Sequence, residues 1–143
     1  MTFTNPPDAA IAAYLRTVKT VAIVGLSADP ARPSHRVAQG LLRYGYEIVP
    51  VNPRLTTWQR RAAQPDLDAA VRSVAPSRAI DLVDVFRRSE HVAGIVDDAM
   101  RLGLKGVWLQ QGVIDTAAAE RAHAAGSFVV MDRCLLVERA RLG

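Results

Sequence analysis

The strongest constraint on this chain is a series of short, unbroken apolar runs. They are Val21-Ala22-Ile23-Val24, Ile48-Val49-Pro50-Val51, Gly106–Leu109 and Phe128–Met131, with Ile80–Phe86 a similar run in which Asp81 and Asp84 are embedded. Their apolar residues are consecutive rather than alternating, which marks strands buried on both faces. Between most of them lie stretches with helical spacing, such as Val37, Leu41 and Leu42, or Val92, Ile95, Val96 and Ala99. Strands that alternate with helices of ten to fifteen residues require crossover connections and a parallel sheet.

Read along the chain, Asp8 starts an amphipathic helix over 8–18, carried by Ile11, Tyr14, Leu15 and Val18. A strand follows at 20–25. Ser34 is the expected N-cap of a helix that runs to Tyr44, where Gly45 supplies a stop. The second strand covers 46–51. Residues 55–78 carry no strong period; a small strand near 61–64 and a short helix over 67–74, capped by Gln64-Pro65-Asp66, are the expectation. The third strand spans 80–86, and Ser89 caps a helix over 90–102. Strand four is 106–109, Asp115 starts a helix to about 125, strand five is 128–131, and 135–142 forms a short final element. The chain therefore reads as one α/β domain, residues 1–143: a three-layer, Rossmann-like fold around a mainly parallel sheet of five or six strands.

Charge and composition narrow the function classes. The formal net charge is +4, and 16 of the 18 basic residues are arginine, Lys19 and Lys105 being the exceptions. Guanidinium suits phosphate, so several arginines meeting one anion is the sharper reading and genome composition the blander one. The basic residues are scattered, with no run of five like charges, and only eight residues are aromatic, which argues against nucleic acid as a partner. Cys134 is alone, so no internal disulfide forms, and no run of 18 apolar residues or signal pattern occurs; a soluble cytoplasmic protein with no membrane partner is expected. His35, His91 and His123 are far apart and no metal-ligand spacing exists, so no metal site is expected. No Gly-x-Ser-x-Gly elbow is present either.

In an open parallel sheet the ligand sits beyond the carboxyl ends of the strands. Gly25-Leu26-Ser27-Ala28-Asp29 follows the first strand, and a glycine there allows a tight turn toward a phosphate at the next helix. The dinucleotide fingerprint is absent, since Ser27 stands where the second glycine belongs. Asn52-Pro53-Arg54 ends the second strand where an NAD site would place an acid; an arginine there suits a phosphorylated ribose, as in NADP or coenzyme A. Phe86-Arg87-Arg88-Ser89-Glu90-His91 brings an aromatic ring and two arginines to the same sheet edge, with His91 read as a polar neighbour rather than a catalyst. Gln110-Gln111-Gly112 adds side-chain amides. Cys134 follows the fifth strand with no histidine near it in sequence, and reads as a buried, inert thiol. Asp81 and Asp84, three residues apart on a strand, point to opposite faces and do not form an acid–base pair.

Six segments carry a resemblance. Val-Ala-Ile-Val-Gly-Leu-Ser (21–27), Arg-Pro-Ser-His-Arg-Val-Ala (32–38), Tyr-Glu-Ile-Val-Pro-Val-Asn-Pro-Arg (46–54), Asp-Val-Phe-Arg-Arg-Ser-Glu-His-Val (84–92), Gly-Val-Trp-Leu-Gln-Gln-Gly-Val (106–113) and Val-Val-Met-Asp-Arg-Cys-Leu (129–135) resemble the small standalone CoA-binding proteins. That family is similar to the N-terminal domain of the succinyl-CoA synthetase α subunit. The resemblance implies bound coenzyme A or an acyl-CoA. It implies a pyrophosphate and ADP half across Gly25, Leu26, Ser27 and Ala28, and a basic contact at Arg54 beside Asn52 and Pro53. It places Arg32, Phe86 and Arg87 in the same cleft, and Leu109-Gln110-Gln111 near the pantetheine arm. Residues 55–67 depart from the family pattern except at Pro65 and Leu67, and the synthetase's second domain, with its phosphorylated histidine, has no counterpart here. The expectation is a binding or regulatory module without catalytic residues of its own and with a possible protein partner. The alternative is an NADP-dependent reductase or a CoA-using subunit completed by a partner chain.

Overall fold

The computed structural model describes residues 3–142. In chain order the elements are α1 (Asp8–Thr17), β1 (Thr20–Val24), α2 (Pro33–Arg43), β2 (Glu47–Val51), β3 (Thr57–Trp58), β4 (Arg61–Ala62), α3 (Leu67–Val74), β5 (Leu82–Val85), α4 (Val92–Arg101), β6 (Gly106–Leu109), α5 (Thr116–Ala124), β7 (Phe128–Val130) and α6 (Leu135–Ala140). Five strands form one sheet in the order β2-β1-β5-β6-β7, and every neighbouring pair is parallel. The Rossmann-like expectation holds, with five strands in the sheet. The outer edge of β2 is lengthened by a bridge between Val51 and Gln64, where the Gln64 N–H donates to the Pro50 carbonyl at 2.8 Å.

The apolar runs become strands because both faces of the sheet are covered. Val83, Val85, Val107 and Val129 point to a layer made by α3, α4 and α5. Ile23, Leu82, Trp108 and Val130 point the other way, toward α1, α2 and α6. Gly106 is required where β6 meets α1: a Cβ there would collide with the Tyr14 hydroxyl, which donates to the Asp81 carbonyl at 2.6 Å. Tyr14 stacks on Phe128 with ring centroids 4.2 Å apart, and burial pushes its phenol up to about 12. No helix among the described residues is long and apolar enough to cross a membrane.

Several boundaries depart from the sequence expectation for a common reason. Ser34 is not the N-cap of α2: Pro33 is its first residue, Arg32 holds the cap position, and the Ser34 hydroxyl instead accepts from the Ser27 N–H at 3.0 Å. Ser89 begins a single 3-10 turn rather than capping α4, and its hydroxyl accepts from the Ile114 N–H at 3.0 Å. Both hydroxyls serve a loop from another part of the chain. Asp66 and Asp115 do cap α3 and α5, accepting from Ala69 and Ala118 at 2.8 and 3.0 Å. The strand expected near 61–64 is the second half of the β3–β4 ribbon, which pairs antiparallel.

Candidate functional site

The chain leaves β1 for β2 on one side and reaches β6 from β5 on the other, so the loops after β1 and β5 part company. A crevice opens at such a switch point. Here it is a cleft of about 880 Å³ between the loops after β1, β2 and β5 and the starts of α2 and α3. Gly25 forms its floor with φ of +89°. A Cβ at that position would run into the Phe86 carbonyl, so only glycine lets the two strand ends approach this closely.

The loop from 25 to 33 is tied before any ligand arrives. The Ser27 hydroxyl accepts from the Asp29 N–H, and the Asp29 carboxylate accepts from the Ala31 N–H, at 3.0 and 2.9 Å. Asn52 joins the ends of β1 and β2: its Nδ2 donates to the Leu26 carbonyl and its Oδ1 accepts from the Arg54 N–H, each at 2.9 Å. Its polar atoms are thus engaged within the protein, and its role is to hold Arg54 at the cleft mouth. Below the loop, His35 is buried against Trp58, with ring centroids 5.5 Å apart. His35 Nδ1 sits between the Ser27 carbonyl at 3.0 Å and the Trp58 indole N–H at 3.2 Å, which ties the loop after β1 to the ribbon. This pair pins the β3–β4 ribbon under the site. Neither residue announces that by its spacing.

The electrostatics of the cleft are one-sided. Arg32, Arg54, Arg87 and Arg88 border it, opposed by Asp29, Asp66 and Asp98. Each carboxylate is already committed, Asp29 to the Ala31 N–H, Asp66 to the cap of α3 and Asp98 to Arg101 at 3.1 Å. Arg32, Arg54 and Arg87 have no ion-pair partner among the described residues. Three unpaired guanidiniums around a crevice at a helix start have the charge and geometry that suit a multiply charged anion.

A second cleft, of about 570 Å³, adjoins the first and shares Pro33, Phe86 and Arg87 with it. Arg36, Val37, Gln110, Gln111, Val113, Cys134 and Leu136 complete its lining. Gln110 is 4% exposed, and its Oε1 accepts from the Leu135 N–H at 3.0 Å at the start of α6.

Of the residues singled out in the sequence, Gly25, Ser27, Ala28, Arg32, Asn52, Pro53 and Arg54 line the first cleft, Phe86 and Arg87 line both, and Gln110 and Gln111 line the second. Leu26 and Leu109 are fully buried in the two half-cores and present no side chain to either cleft. His91 is exposed at the rim of the first cleft. Cys134 is half-buried rather than buried, because it occupies the cap position of α6 at the wall of the second cleft. Asp81 accepts the Lys19 and Thr20 N–H groups, while Asp84 is fully enclosed without a hydrogen-bond partner, so the two carboxylates do separate work. Arg36, Val113 and Leu136 were not foreseen. Arg36 had a signal, since it lies four residues after Arg32 and so on the same side of α2. No group of three or more His, Cys, Asp or Glu side chains among the described residues could hold a metal ion.

Comparison with known proteins agrees with this fold. YneT, an uncharacterised protein of Bacillus subtilis strain 168, is 35% identical over 140 residues, which is 95% of this chain and 96% of YneT. The structure of cell-free ID.343 from Thermus thermophilus superposes with a TM-score of 0.85 at 34% identity, covering 96% of this chain and all (100%) of that one. A hypothetical protein from Pyrococcus horikoshii OT3 gives 0.85 at 31% identity, with 99% of both chains covered. Residues 19–140 match the family described as CoA binding domain, and it is to that family that this chain belongs.

Proposed function

We propose that this protein binds coenzyme A at the carboxyl ends of β1, β2 and β5 and acts as a non-catalytic binding or regulatory module. The carrying observation is the set of unpaired guanidiniums, Arg32, Arg54 and Arg87, around the switch-point cleft of a chain in a CoA-binding family. The pyrophosphate lies over Gly25, Ser27 and Ala28 at the start of α2. Arg54, held by Asn52 at the end of β2, meets the ribose 3′-phosphate. The pantetheine arm crosses Phe86 and Arg87 toward Gln110 and Gln111. CoA is an intracellular metabolite, so this reading carries a cytoplasmic location with it.

A titration of the full chain with CoA, dephospho-CoA, NADP and NAD tests the reading. A ligand that binds only the folded state at a hundred times its Kd adds about 2.7 kcal/mol of stability, a readily measured rise in Tm. CoA gives that rise, and dephospho-CoA gives less. Arg54→Ala lowers CoA affinity by about tenfold, about 1.4 kcal/mol, and hardly affects dephospho-CoA. Equal losses for both ligands remove Arg54 from the 3′-phosphate, and a response to NADP alone replaces this reading with the reductase.

A further inference from the structure

The second cleft has a chemistry that the nucleotide half of CoA does not use. Its wall is largely carbon, from Val37, Phe86, Val113 and Leu136. One polar group in it is fixed in direction. The Leu135 N–H can only donate, so its bond identifies the accepting atom of the Gln110 amide as Oε1. Nε2 is then the free end. It makes no hydrogen bond among the described residues, although the side chain is 4% exposed and lines the cleft. Nε2 is not among the enclosed unpaired polar atoms, so it opens to the cleft, where an incoming acceptor can reach it. An acceptor followed by hydrocarbon matches this arrangement, and a thioester carbonyl with its alkyl chain is such a group. The thiol end of free CoA carries neither a terminal carbonyl nor an alkyl chain, so what separates acyl-CoA from CoA here is the group beyond the sulfur.

We propose that the second cleft takes the acyl group of a short-chain acyl-CoA, with Gln110 Nε2 donating to the thioester carbonyl and Val37, Val113 and Leu136 covering the alkyl chain. The proposal rests on the CoA reading above and adds the ligand class. Arg87 and Phe86, common to both clefts, mark where the arm passes from one to the other.

Calorimetric titration of the full chain with CoA, acetyl-CoA and butyryl-CoA decides it. Butyryl-CoA binds about tenfold tighter than CoA, with acetyl-CoA between, because two further carbons leave water. Gln110→Glu keeps an oxygen for the Leu135 N–H and exchanges the donor for an acceptor, and Val113→Phe fills the hydrocarbon wall without touching that bond. Each brings the butyryl-CoA to CoA affinity ratio close to one, with thermal unfolding run beside it to check the fold. CoA binding with a ratio near one in the unsubstituted chain overturns the acyl site and leaves the CoA reading standing. A tenfold ratio that survives both substitutions puts the acyl chain elsewhere and also overturns it. No binding by any of the three ligands overturns both readings.

Discussion

The two faces of the sheet are built from different residues. On the side of α3, α4 and α5 the interior is valine, alanine and leucine with one isoleucine, Ile80, and no buried aromatic ring. On the side of α1, α2 and α6 it holds Trp58, Trp108 and Tyr46, with His35 and Asp84 among the buried polar groups. The helix ends differ in the same sense. Asp66 and Asp115 cap α3 and α5 with side-chain hydrogen bonds, and α4 continues from a 3-10 turn. The helices of the other face start at Pro7, Arg32 and Cys134, and none of these side chains makes a capping bond. The first face closes two of its three helix starts with carboxylates. The second leaves the start of α2 open at the first cleft and that of α6 at the second. On the reading proposed above, the first face mainly supplies stability and the second mainly sets strand ends and loops around the ligand.

The largest expected effect comes from breaking the aromatic face at Trp108. Trp108 is fully buried on β6, between the central strand and the edge strand β7, and its indole N–H donates to the Arg133 carbonyl at 2.8 Å. Trp108→Ala lowers unfolding free energy by about 3–5 kcal/mol. It also releases the loop that carries Cys134 at the second cleft, and so reduces the Tm rise produced by a saturating CoA ligand. Val83→Ala, one strand away on the opposite face, costs about 2 kcal/mol and leaves that rise intact. Urea unfolding with and without ligand checks both. Equal ligand responses in the two variants would erase the division of labour between the faces.

The same contrast explains what could be read from the sequence. The strands that feed both faces come from runs that are apolar at nearly every position, so β1, β2, β5 and β6 were legible, as were the Asp66 and Asp115 caps, whose partners lie three residues away. Of the ribbon from 57 to 62 only the second strand was legible. Its turn has Gln59 and Arg60 at φ of +47° and +68°, where a glycine or asparagine would have signalled a hairpin. Ser34 and Ser89 looked like caps because serine near a helix start usually is one. Their hydroxyls instead serve Ser27 and Ile114, contacts that only the assembled sheet edge creates. In the clefts, the loop residues after each strand were found by position. Arg36, Val113 and Leu136 were missed because a helix face and a long-range wall come together only in three dimensions.

A smaller effect sharpens the comparison through pH. Asp84 lies beside Ile23 and Trp108 on the aromatic face, fully buried, and neither carboxyl oxygen has a hydrogen-bond partner. Burial pushes its carboxyl well above the ordinary value of 3.8. The folded chain therefore keeps this proton when the unfolded chain has lost it. Its contribution is fully present below the ordinary carboxylate value and declines as pH rises from there toward the raised folded value. Asp84→Asn removes the ionisation and keeps the shape. At pH 7 the variant is more stable by about 1–3 kcal/mol, and the gap between the two chains closes as pH falls toward 3. Urea midpoints between pH 3 and 8 measure the gap directly, and a gap independent of pH would show that Asp84 ionises as freely in the fold as outside it.

The smallest effect asks whether the open helix start is a functional feature. Arg32 sits at the cap of α2 with φ of −80° and ψ of 142°, the extended backbone that a capping residue adopts, yet its side chain makes no cap bond. Arg32→Asp gives α2 the kind of carboxylate cap that α3 and α5 already have. On local grounds it stabilises the helix by about 0.5–1 kcal/mol, through a hydrogen bond to an N–H of the first turn and a favourable charge at the positive helix end. It also places a negative charge at the cleft and removes one of the unpaired guanidiniums. The expected outcome is a chain with a slightly higher Tm in buffer and a CoA affinity at least tenfold weaker. A gain in stability with unchanged affinity would mean that the bare end of α2 is an accident of sequence rather than the entrance to an anion site, and the two faces would then differ only in how they pack.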